Sequence, residues 1–253
     1  MSNFKDWCIE TETPISTHTL RLLAAEKANH SHAVKAIAKA IPEYYADPKR
    51  IAAILTKLGR SSVAAYVQEK LPTEPTIRSG DLGEILCNAY VIEATSFKRG
   101  IKRLRWKDHR NMSMRGEDVL AFSLGKNGTD LRVLKAEVKS RAAMQTSVIE
   151  EARAALDGNK ELPSPHAISF VADRLNEADD AELRDALDRA QLLDGLKVGQ
   201  VTHMLFTFSG SNPSKLLHTN LSSYSGAIPQ KYVALQVKPH QDFIKAVFDA
   251  VGK

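Results

Sequence analysis

Two apolar runs joined by a turn place the strongest constraint on how this chain folds. The runs cover residues 119–122 and 131–138, and an Asn-Gly pair at 127–128 lies between them. An Asn-Gly pair between two such runs is a strong local signal of a β-hairpin. In a hairpin the start of the first strand lies beside the end of the second, so we expect Asp118 to lie close to Glu137.

The charged residues at this end of the hairpin indicate a metal site. Side chains on a strand alternate between its two faces, so Glu137 and Lys139 point the same way. Asp118 and Glu137 repel each other unless a cation lies between them. Mg²⁺ prefers oxygen ligands, and it activates water and stabilises charge on phosphate oxygens. A lysine beside it supplies a positive charge for the phosphate or the attacking water.

These motifs resemble those of the PD-(D/E)xK nuclease superfamily. In that superfamily an acid begins one strand and an acid-x-lysine motif lies on the next, and the matching residues here are Asp118 and Glu137-Val138-Lys139. The superfamily often adds a glutamate on the preceding helix, and Glu84, within a Gly-Asp-Leu-Gly-Glu segment, has that position. The resemblance implies an α/β fold, restriction-endonuclease-like, with a mixed central sheet flanked by helices.

The same resemblance implies a ligand set and a division of roles. Asp118 and Glu137, with the carbonyl of Val138, would hold Mg²⁺ or, in its place, Mn²⁺. Glu84 would complete or tune this metal site. Lys139 would orient water or stabilise the transition state, so Glu84, Asp118, Glu137 and Lys139 form the expected catalytic set.

Three features leave other interpretations open. Glu117 stands where the superfamily has a proline before Asp118, so either acid is a candidate ligand. An acid-x-lysine pair on a strand is commonly a solvated edge pair. Glu84 lies on an otherwise apolar helix stripe, where an unpartnered carboxylate is costly to bury. Its alternative role is therefore a structural salt bridge to an arginine.

The segment before Asp118 is the most basic of the chain. Lysine and arginine supply the phosphate contacts that dominate nucleic-acid affinity, so a DNA-tracking face is expected here. The alternative is a solvated edge strand, since lysine-rich edges resist aggregation. The predicted DNA-binding residues are Lys98, Arg99, Lys102, Arg103, Arg105 and Arg115, with Arg141 following the acid-x-lysine motif.

Composition restricts the class of protein without choosing a function. The chain has 253 residues and a formal net charge of +5, which is compatible with a polyanionic partner. Its two cysteines form no disulfide framework or metal-type spacing, which favours a reducing cytoplasm. No apolar run has the length of a membrane helix, so no membrane partner is expected.

The remaining pattern predicts two regions. An N-terminal helical region, 1–75, precedes a nuclease-like domain, 76–253, with prolines at 72 and 75 as the linker. Alternating strands and helices after Asp118 predict a mixed α/β sheet with helices on both faces. The predicted elements are an extended lead-in over 1–16, helices over 17–40, 48–58, 61–69, 147–157, 176–193 and 240–250, and strands over 166–171, 201–208 and 232–237.

The predicted N-terminal helical region and three motifs indicate a particular family within the nuclease superfamily. The motifs are Gly-Asp-Leu-Gly-Glu at 80–84, Met-Arg-Gly-Glu-Asp-Val-Leu-Ala-Phe at 114–122 and Glu-Val-Lys-Ser-Arg at 137–141. Together they resemble the nuclease-subunit family of the bacterial Hachiman antiphage defence system. That resemblance implies a deoxyribonuclease effector held by a large superfamily 2 helicase subunit. Sensing of infection or DNA damage would release or activate it.

Two other functions compete with this interpretation. One is a catalytically silent module, in which a nuclease fold only holds DNA and a helicase; the intact acids and lysine argue against it. The other is a type II-like restriction enzyme that acts alone. Such an enzyme would cut at a specific sequence, and no dedicated recognition domain is evident in the chain.

Overall fold

A mixed β-sheet organises the fold. The computed structural model describes residues 3–175 and 177–252, and these residues form one seven-stranded sheet in the order β1-β2-β7-β6-β5-β4-β3. The four central strands β2, β7, β6 and β5 are parallel, while the pairs β1–β2, β5–β4 and β4–β3 are antiparallel. The strands are β1 Cys8–Ile15, β2 His18–Ala25, β3 Arg99–Gly100, β4 Val119–Ser123, β5 Arg132–Arg141, β6 Val201–Ser209 and β7 Gln230–Gln236.

Helices cover both faces of the sheet, as the sequence predicts for this α/β class. Alternate residues of one strand enter different cores: Leu134 packs with α1, α4 and α9, whereas Val133 packs with α6 and α7. Helices α5 and α8 cover the second face farther along the sheet. The helices are α1 His30–Ala40, α2 Pro42–Tyr45, α3 Pro48–Lys70, α4 Pro75–Ala94, α5 Thr146–Asp157, α6 Pro165–Ala172, α7 Glu177–Leu192, α8 Ser214–Ser222 and α9 His240–Asp249. Within the described ranges, no helix is long and apolar enough to cross a membrane.

Helix α4 lies unusually close to strand β5. A β-carbon added at Gly83 would meet the Val138 Cγ1 atom at 3.0 Å and the Ser140 Cβ atom at 3.4 Å. Gly83 therefore allows α4 to pack close to β5, and a larger side chain at this position would push the helix and the strand apart. Because Glu84 follows Gly83 directly, this approach brings its carboxylate to the sheet.

The prediction for the N-terminal segment is wrong in part. Residues 8–15 and 18–25 form an antiparallel hairpin rather than a lead-in and the start of a helix, and α1 begins only at His30. Strand β2 pairs in parallel with β7, from the other end of the chain. This distant partner overrides the local helical spacing of the apolar residues. The division at residue 75 stays a prediction, although segments on both sides of it contribute to one sheet.

The strand predicted over 166–171 is also wrong, because these residues belong to helix α6. The Ser164 side chain accepts a hydrogen bond from the Ala167 amide at 3.2 Å, and Pro165 occupies the first helical turn. These are helix-start signals, and a short apolar run does not distinguish a strand from a buried helix. The other predicted strands and the helices predicted over 147–157 and 240–250 are confirmed, and the helices predicted over 48–58 and 61–69 form the two halves of α3, which is kinked at Gly59. Helix α7 confirms the helix predicted over 176–193 for residues 177–192, while Asn176 lies outside the described residues.

A buried histidine on β6 makes the stability of the fold depend on pH. His203 is fully buried; its Nε2 atom donates to the Glu161 carbonyl at 2.8 Å, and its Nδ1 atom accepts from Arg153 at 2.9 Å. Burial, chiefly, lowers the pKa of His203 to about 4. The unfolded chain, in which histidine keeps a pKa near 6.5, binds the proton first. Stability from neutral His203 is therefore present above pH 6.5 and is lost as the pH falls towards 4.

We expect a change from pH 7 to pH 5 to remove on the order of 2 kcal/mol of the unfolding free energy through His203. Urea unfolding at the two pH values measures this in the native chain and in the His203→Gln variant, which should have a shallower pH dependence. His32→Gln is the matched control, because His32 is exposed. Equal pH slopes in the native chain and the His203→Gln variant would contradict the prediction.

Candidate active site

Asp118 and the acid-x-lysine motif meet at one end of the β4–β5 pair. The antiparallel register places Val119 opposite Ala136. Asp118, one residue before β4, accepts a hydrogen bond at its Oδ2 atom from the Val138 amide at 2.8 Å. The hairpin prediction is thus confirmed, and Asp118 lies beside the strand segment that carries Glu137.

Arg103 links the helix acid to the strand acid. Its Nε atom lies 2.8 Å from Oε2 of Glu84, and its Nη2 atom lies 2.9 Å from Oε1 of Glu84 and 3.0 Å from Oδ1 of Asp118. Arg103 begins the 3₁₀ turn Arg103–Trp106, and its Nη1 atom also donates to the Glu117 carbonyl at 2.6 Å. The structural salt bridge considered for Glu84 is therefore present, and its arginine partner is itself bound to Asp118.

Lys139 lies between two carboxylates. Its Nζ atom is 3.0 Å from Glu137 and 2.7 Å from Glu151, which projects from α5. The Lys139 side chain is only 13% exposed. Burial lowers its pKa, but the hydrogen bonds that its ammonium donates to Glu151 and Glu137 outweigh this effect, so the net pKa of Lys139 is raised. The ammonium group therefore keeps its positive charge at neutral pH.

The site carries more buried negative charge than its cations balance. Burial raises the pKa of Asp118 well above its usual value, and the charges of Glu84 and Glu137 raise it further. Burial also raises the pKa of Glu137, against the opposing effect of Lys139. Three carboxylates thus share Arg103 and Lys139, and Lys139 is further shared with a fourth acid. Such an arrangement favours an additional cation.

Glu117 points away from this cluster. Its Oε1 atom accepts from the Ser164 amide at 2.6 Å, and its Oε2 atom accepts from the Ser164 hydroxyl at 3.1 Å. It thereby binds the residue that caps α6, where a carboxylate complements the unpaired amides of the first helical turn. Between the two adjacent acids left open by the sequence, the geometry favours Asp118 as the metal ligand.

Arg103 occupies oxygens that a metal would need. Within the described part of the chain, no group of three or more His, Cys, Asp or Glu side chains is arranged to hold a metal ion. Carboxylate oxygens of Glu84 and Asp118 both accept hydrogen bonds from the same guanidinium. Their all-oxygen chemistry fits Mg²⁺. A cation that binds the Oδ1 atom of Asp118 must therefore compete with Arg103 for it.

Most of the predicted DNA-binding residues contact the protein itself. Lys102 pairs with Glu43 at 2.8 Å, and Arg105 donates to the Glu43 carbonyl at 2.8 Å. Arg103 is 11% exposed and held by the acids. The other contacts are those of Arg99 with Glu182 at 3.8 Å, Lys98 with the Ile92 carbonyl and Arg141 with the Ser140 carbonyl at 2.8 Å.

Arg115 differs from the other members of this set. It is exposed, and no hydrogen bond or ion pair involves its side chain within residues 3–175 and 177–252. A DNA-tracking role of the basic stretch stays a prediction, and Arg115 is its member most available for a phosphate.

A second buried acid near the cluster was missed by the sequence reasoning. Asp81 is 4% exposed and accepts hydrogen bonds from Lys107 at 2.7 Å and from the Tyr45 hydroxyl at 2.7 Å. Burial raises the pKa of Asp81 to about 6, although Lys107 opposes this. Its three-residue spacing from Glu84 on one helix face is the signal that would have identified it. Asp81 anchors Lys107, and with it the segment that follows the Arg103 turn.

The fold and the site define an α/β protein with a nuclease-like core. Its mixed seven-stranded sheet is flanked by helices, and a cluster of acids lies where β4 begins and β5 approaches its end. A family model described as HamA matches residues 2–251, and the chain belongs to the HamA family. The chain is 25% identical to the Hachiman protein HamA of Bacillus cereus over 235 residues, which cover 90% of this chain and 83% of that protein. The Hachiman resemblance of the sequence is therefore confirmed.

Proposed function

We propose that this chain is a metal-dependent DNA endonuclease, the effector of a Hachiman antiphage defence complex. The observation that carries the proposal is the contact between Asp118 and the Val138 amide, within the Glu137-Val138-Lys139 motif. It unites an acid at the start of one strand with an acid and a lysine on the next. The excess of buried carboxylates over cations at this position supports a metal-binding role.

In this proposal Asp118, Glu137 and the carbonyl of Val138 hold Mg²⁺, for which Mn²⁺ substitutes. When bound, Mg²⁺ neutralises charge on the scissile phosphate and lowers the pKa of a coordinated water. Glu84 tunes the site through Arg103, because both Glu84 and Asp118 bind its guanidinium.

Lys139 supplies a fixed positive charge beside the reacting phosphate. Its ammonium is held by Glu137 and Glu151, so its position is defined before substrate arrives. From there it orients the attacking water or stabilises the negative charge that develops on the phosphate oxygens. The water oxygen gives up a proton and forms a new bond to phosphorus, while one bond from phosphorus to a deoxyribose oxygen breaks and that oxygen takes up a proton. The products are two shorter DNA strands.

The proposed partner is a superfamily 2 helicase subunit. This part of the proposal rests on the resemblance of the sequence to the Hachiman nuclease subunit. The helicase would hold the nuclease and release or activate it when infection or DNA damage is sensed.

One observation favours a second candidate, a catalytically silent module that holds DNA and a helicase. Arg103 already satisfies an oxygen of Asp118 and both oxygens of Glu84. If this guanidinium never leaves, it replaces the metal as the cation of the cluster. The fold then retains its acids for stability alone.

Plasmid DNA incubated with the purified chain and Mg²⁺, with and without EDTA, tests the proposal. The expected result is nicking or linearisation that EDTA abolishes. The same assay is made with the helicase-bound complex, and Mn²⁺ binding is titrated separately. Cleavage that persists in EDTA would contradict the metal site. The absence of both Mn²⁺ binding and cleavage, alone and in the complex, would select the silent module.

A matched pair of variants tests the choice between the adjacent acids. We expect Asp118→Asn to weaken Mn²⁺ binding by at least roughly tenfold, because it removes a charged ligand. Glu117→Gln should leave the affinity nearly unchanged, because its side chain binds Ser164 instead. Isothermal titration of both variants with Mn²⁺ measures the difference. A stronger loss in Glu117→Gln would reverse the assignment.

A further inference from the structure

A cavity opens directly beside the acidic cluster. It has a volume of about 430 Å³, and both Asp118 and Glu84 line it. This volume lies within the range, roughly 300–1,000 Å³, that is usual for sites of small organic ligands. The cavity extends from the acids past the 3₁₀ turn Arg103–Trp106 to helix α6. It is therefore large enough to take more of a substrate than the reacting phosphate.

One wall of the cavity is aromatic. Trp106 and Phe170 both line it, with ring centroids 6.3 Å apart in an edge-to-face arrangement. Both rings are partly exposed rather than closed within the core. A flat aromatic face at a cavity wall is the surface on which nucleobases stack, and such stacking is tolerant of base identity.

Two arginines lie around the same cavity. Arg174 stacks over Phe170 with its guanidinium carbon 3.7 Å from the ring centroid, and its Nη1 atom donates to the Phe170 carbonyl at 3.1 Å. This guanidinium holds the Phe170 ring in place at the cavity wall. Arg115, which also lines the cavity, is the exposed arginine whose side chain has no internal partner in the described residues. The cavity thus offers an aromatic surface for a base and a cation for a phosphate.

We propose that this cavity binds one unpaired nucleotide of the substrate strand. Its base stacks on the face of Trp106 and meets Phe170 edge-on, because the two rings are nearly perpendicular, and its phosphate pairs with Arg115, which lines the cavity together with Asp118. The inference rests on the proposed function and specifies the DNA that this site binds best as DNA with unpaired nucleotides, such as single strands, frayed ends or gaps. A base inside a duplex is stacked and paired, so it must first be extruded, at a cost, to enter such a cavity.

Tryptophan fluorescence tests this without any cleavage. The chain has two tryptophans, and Trp7 is 1% exposed and packed against Phe4 and Phe243. A signal change on adding DNA therefore reports Trp106. The titration uses a 16-nucleotide single strand and its blunt duplex, at one fixed salt concentration in EDTA. We expect quenching by the single strand, with an affinity at least roughly tenfold above that of the duplex.

Variants locate the binding in the cavity. We expect Phe170→Ala and Arg115→Ala each to weaken single-strand binding by roughly 5- to 100-fold, as measured by the anisotropy of a labelled strand. Arg60→Ala, an exposed arginine on α3, should bind as the native chain does. Because Arg115 is a surface residue, its variant stays informative even if Phe170→Ala unfolds. Trp106→Phe should abolish the quenching while keeping most of the affinity.

Equal affinity for the single strand and the duplex would overturn the inference. The inference would also be overturned if Arg115→Ala weakened single-strand binding no more than Arg60→Ala does. Because binding is measured in EDTA, it is independent of the nuclease proposal. Binding at the cavity without Mg²⁺-dependent cleavage would retain the inference and sink the nuclease. Mg²⁺-dependent cleavage by a chain whose single-strand binding is not weakened by the cavity variants would overturn this inference and leave the nuclease proposal standing.

Discussion

Replacing Glu137 and Lys139 together by alanine is expected to reduce DNA cleavage by at least about 1,000-fold. The variant loses a proposed metal ligand and the charge that stabilises the transition state, and removal of a single such group typically costs 100- to 1,000-fold. Its fold should persist, because both partners of the Glu137–Lys139 pair are removed and no buried charge is left alone between them. Glu151, which also loses Lys139, is 65% exposed and is solvated by water.

The measurement is the rate of plasmid nicking with Mg²⁺, beside a thermal melt of each protein. Lys245→Ala with Asp249→Ala is the control, because it removes an exposed ion pair of the same charges from α9. We expect the control to cleave at the native rate. Undiminished, EDTA-sensitive cleavage by the Glu137→Ala/Lys139→Ala variant would sink the assignment of the site.

Replacing Arg103 by methionine should destabilise the metal-free chain by about 3 kcal/mol. Arg103, Glu84 and Asp118 are only 11%, 15% and 20% exposed, so the variant leaves two buried acids without their cation. Breaking a buried ion pair by removing one partner typically costs roughly 3–5 kcal/mol. For a chain of this size, about 3 kcal/mol corresponds to a fall of roughly 6–12 °C in the melting temperature.

Divalent cations should reverse this loss in the Arg103→Met variant. With the guanidinium gone, Mn²⁺ or Mg²⁺ meets no competitor at the Oδ1 atom of Asp118, so the variant should bind metal more tightly than the native chain. Binding to the folded state alone raises its melting temperature. The control is Arg132→Met, which breaks an exposed pair with Asp130 and should cost at most about 1 kcal/mol.

Thermal melts of the native, Arg103→Met and Arg132→Met chains, with and without Mg²⁺, test both expectations. If Arg103→Met melts at the native temperature without metal, the acids do not depend on this arginine. A destabilised Arg103→Met chain that no divalent cation restores would show that the cluster takes a guanidinium but not a metal. That result would favour the silent module.

Elements set by neighbouring residues were predicted from the sequence more successfully than elements set by distant partners. The β4–β5 hairpin followed from an Asn-Gly turn and two apolar runs, and it located Asp118 beside the motif of Glu137. Helix α6 was missed, although Ser164 and Pro165 carried a helix-start signal. Strand β2 was missed for a different reason, since its parallel partner β7 lies more than 200 residues along the chain.

The sequence by itself therefore determined the hairpin, the α/β class and the acids at its centre, because turn chemistry and side-chain alternation act between near neighbours. Only the tertiary structure decided that Arg103 joins Glu84 to Asp118 and that Glu117 turns away to Ser164. Charge pairing of this kind depends on which helix and which turn approach the strand. That approach arises from core packing over the whole chain, including the close contact of Gly83 with Val138, and no local pattern encodes it.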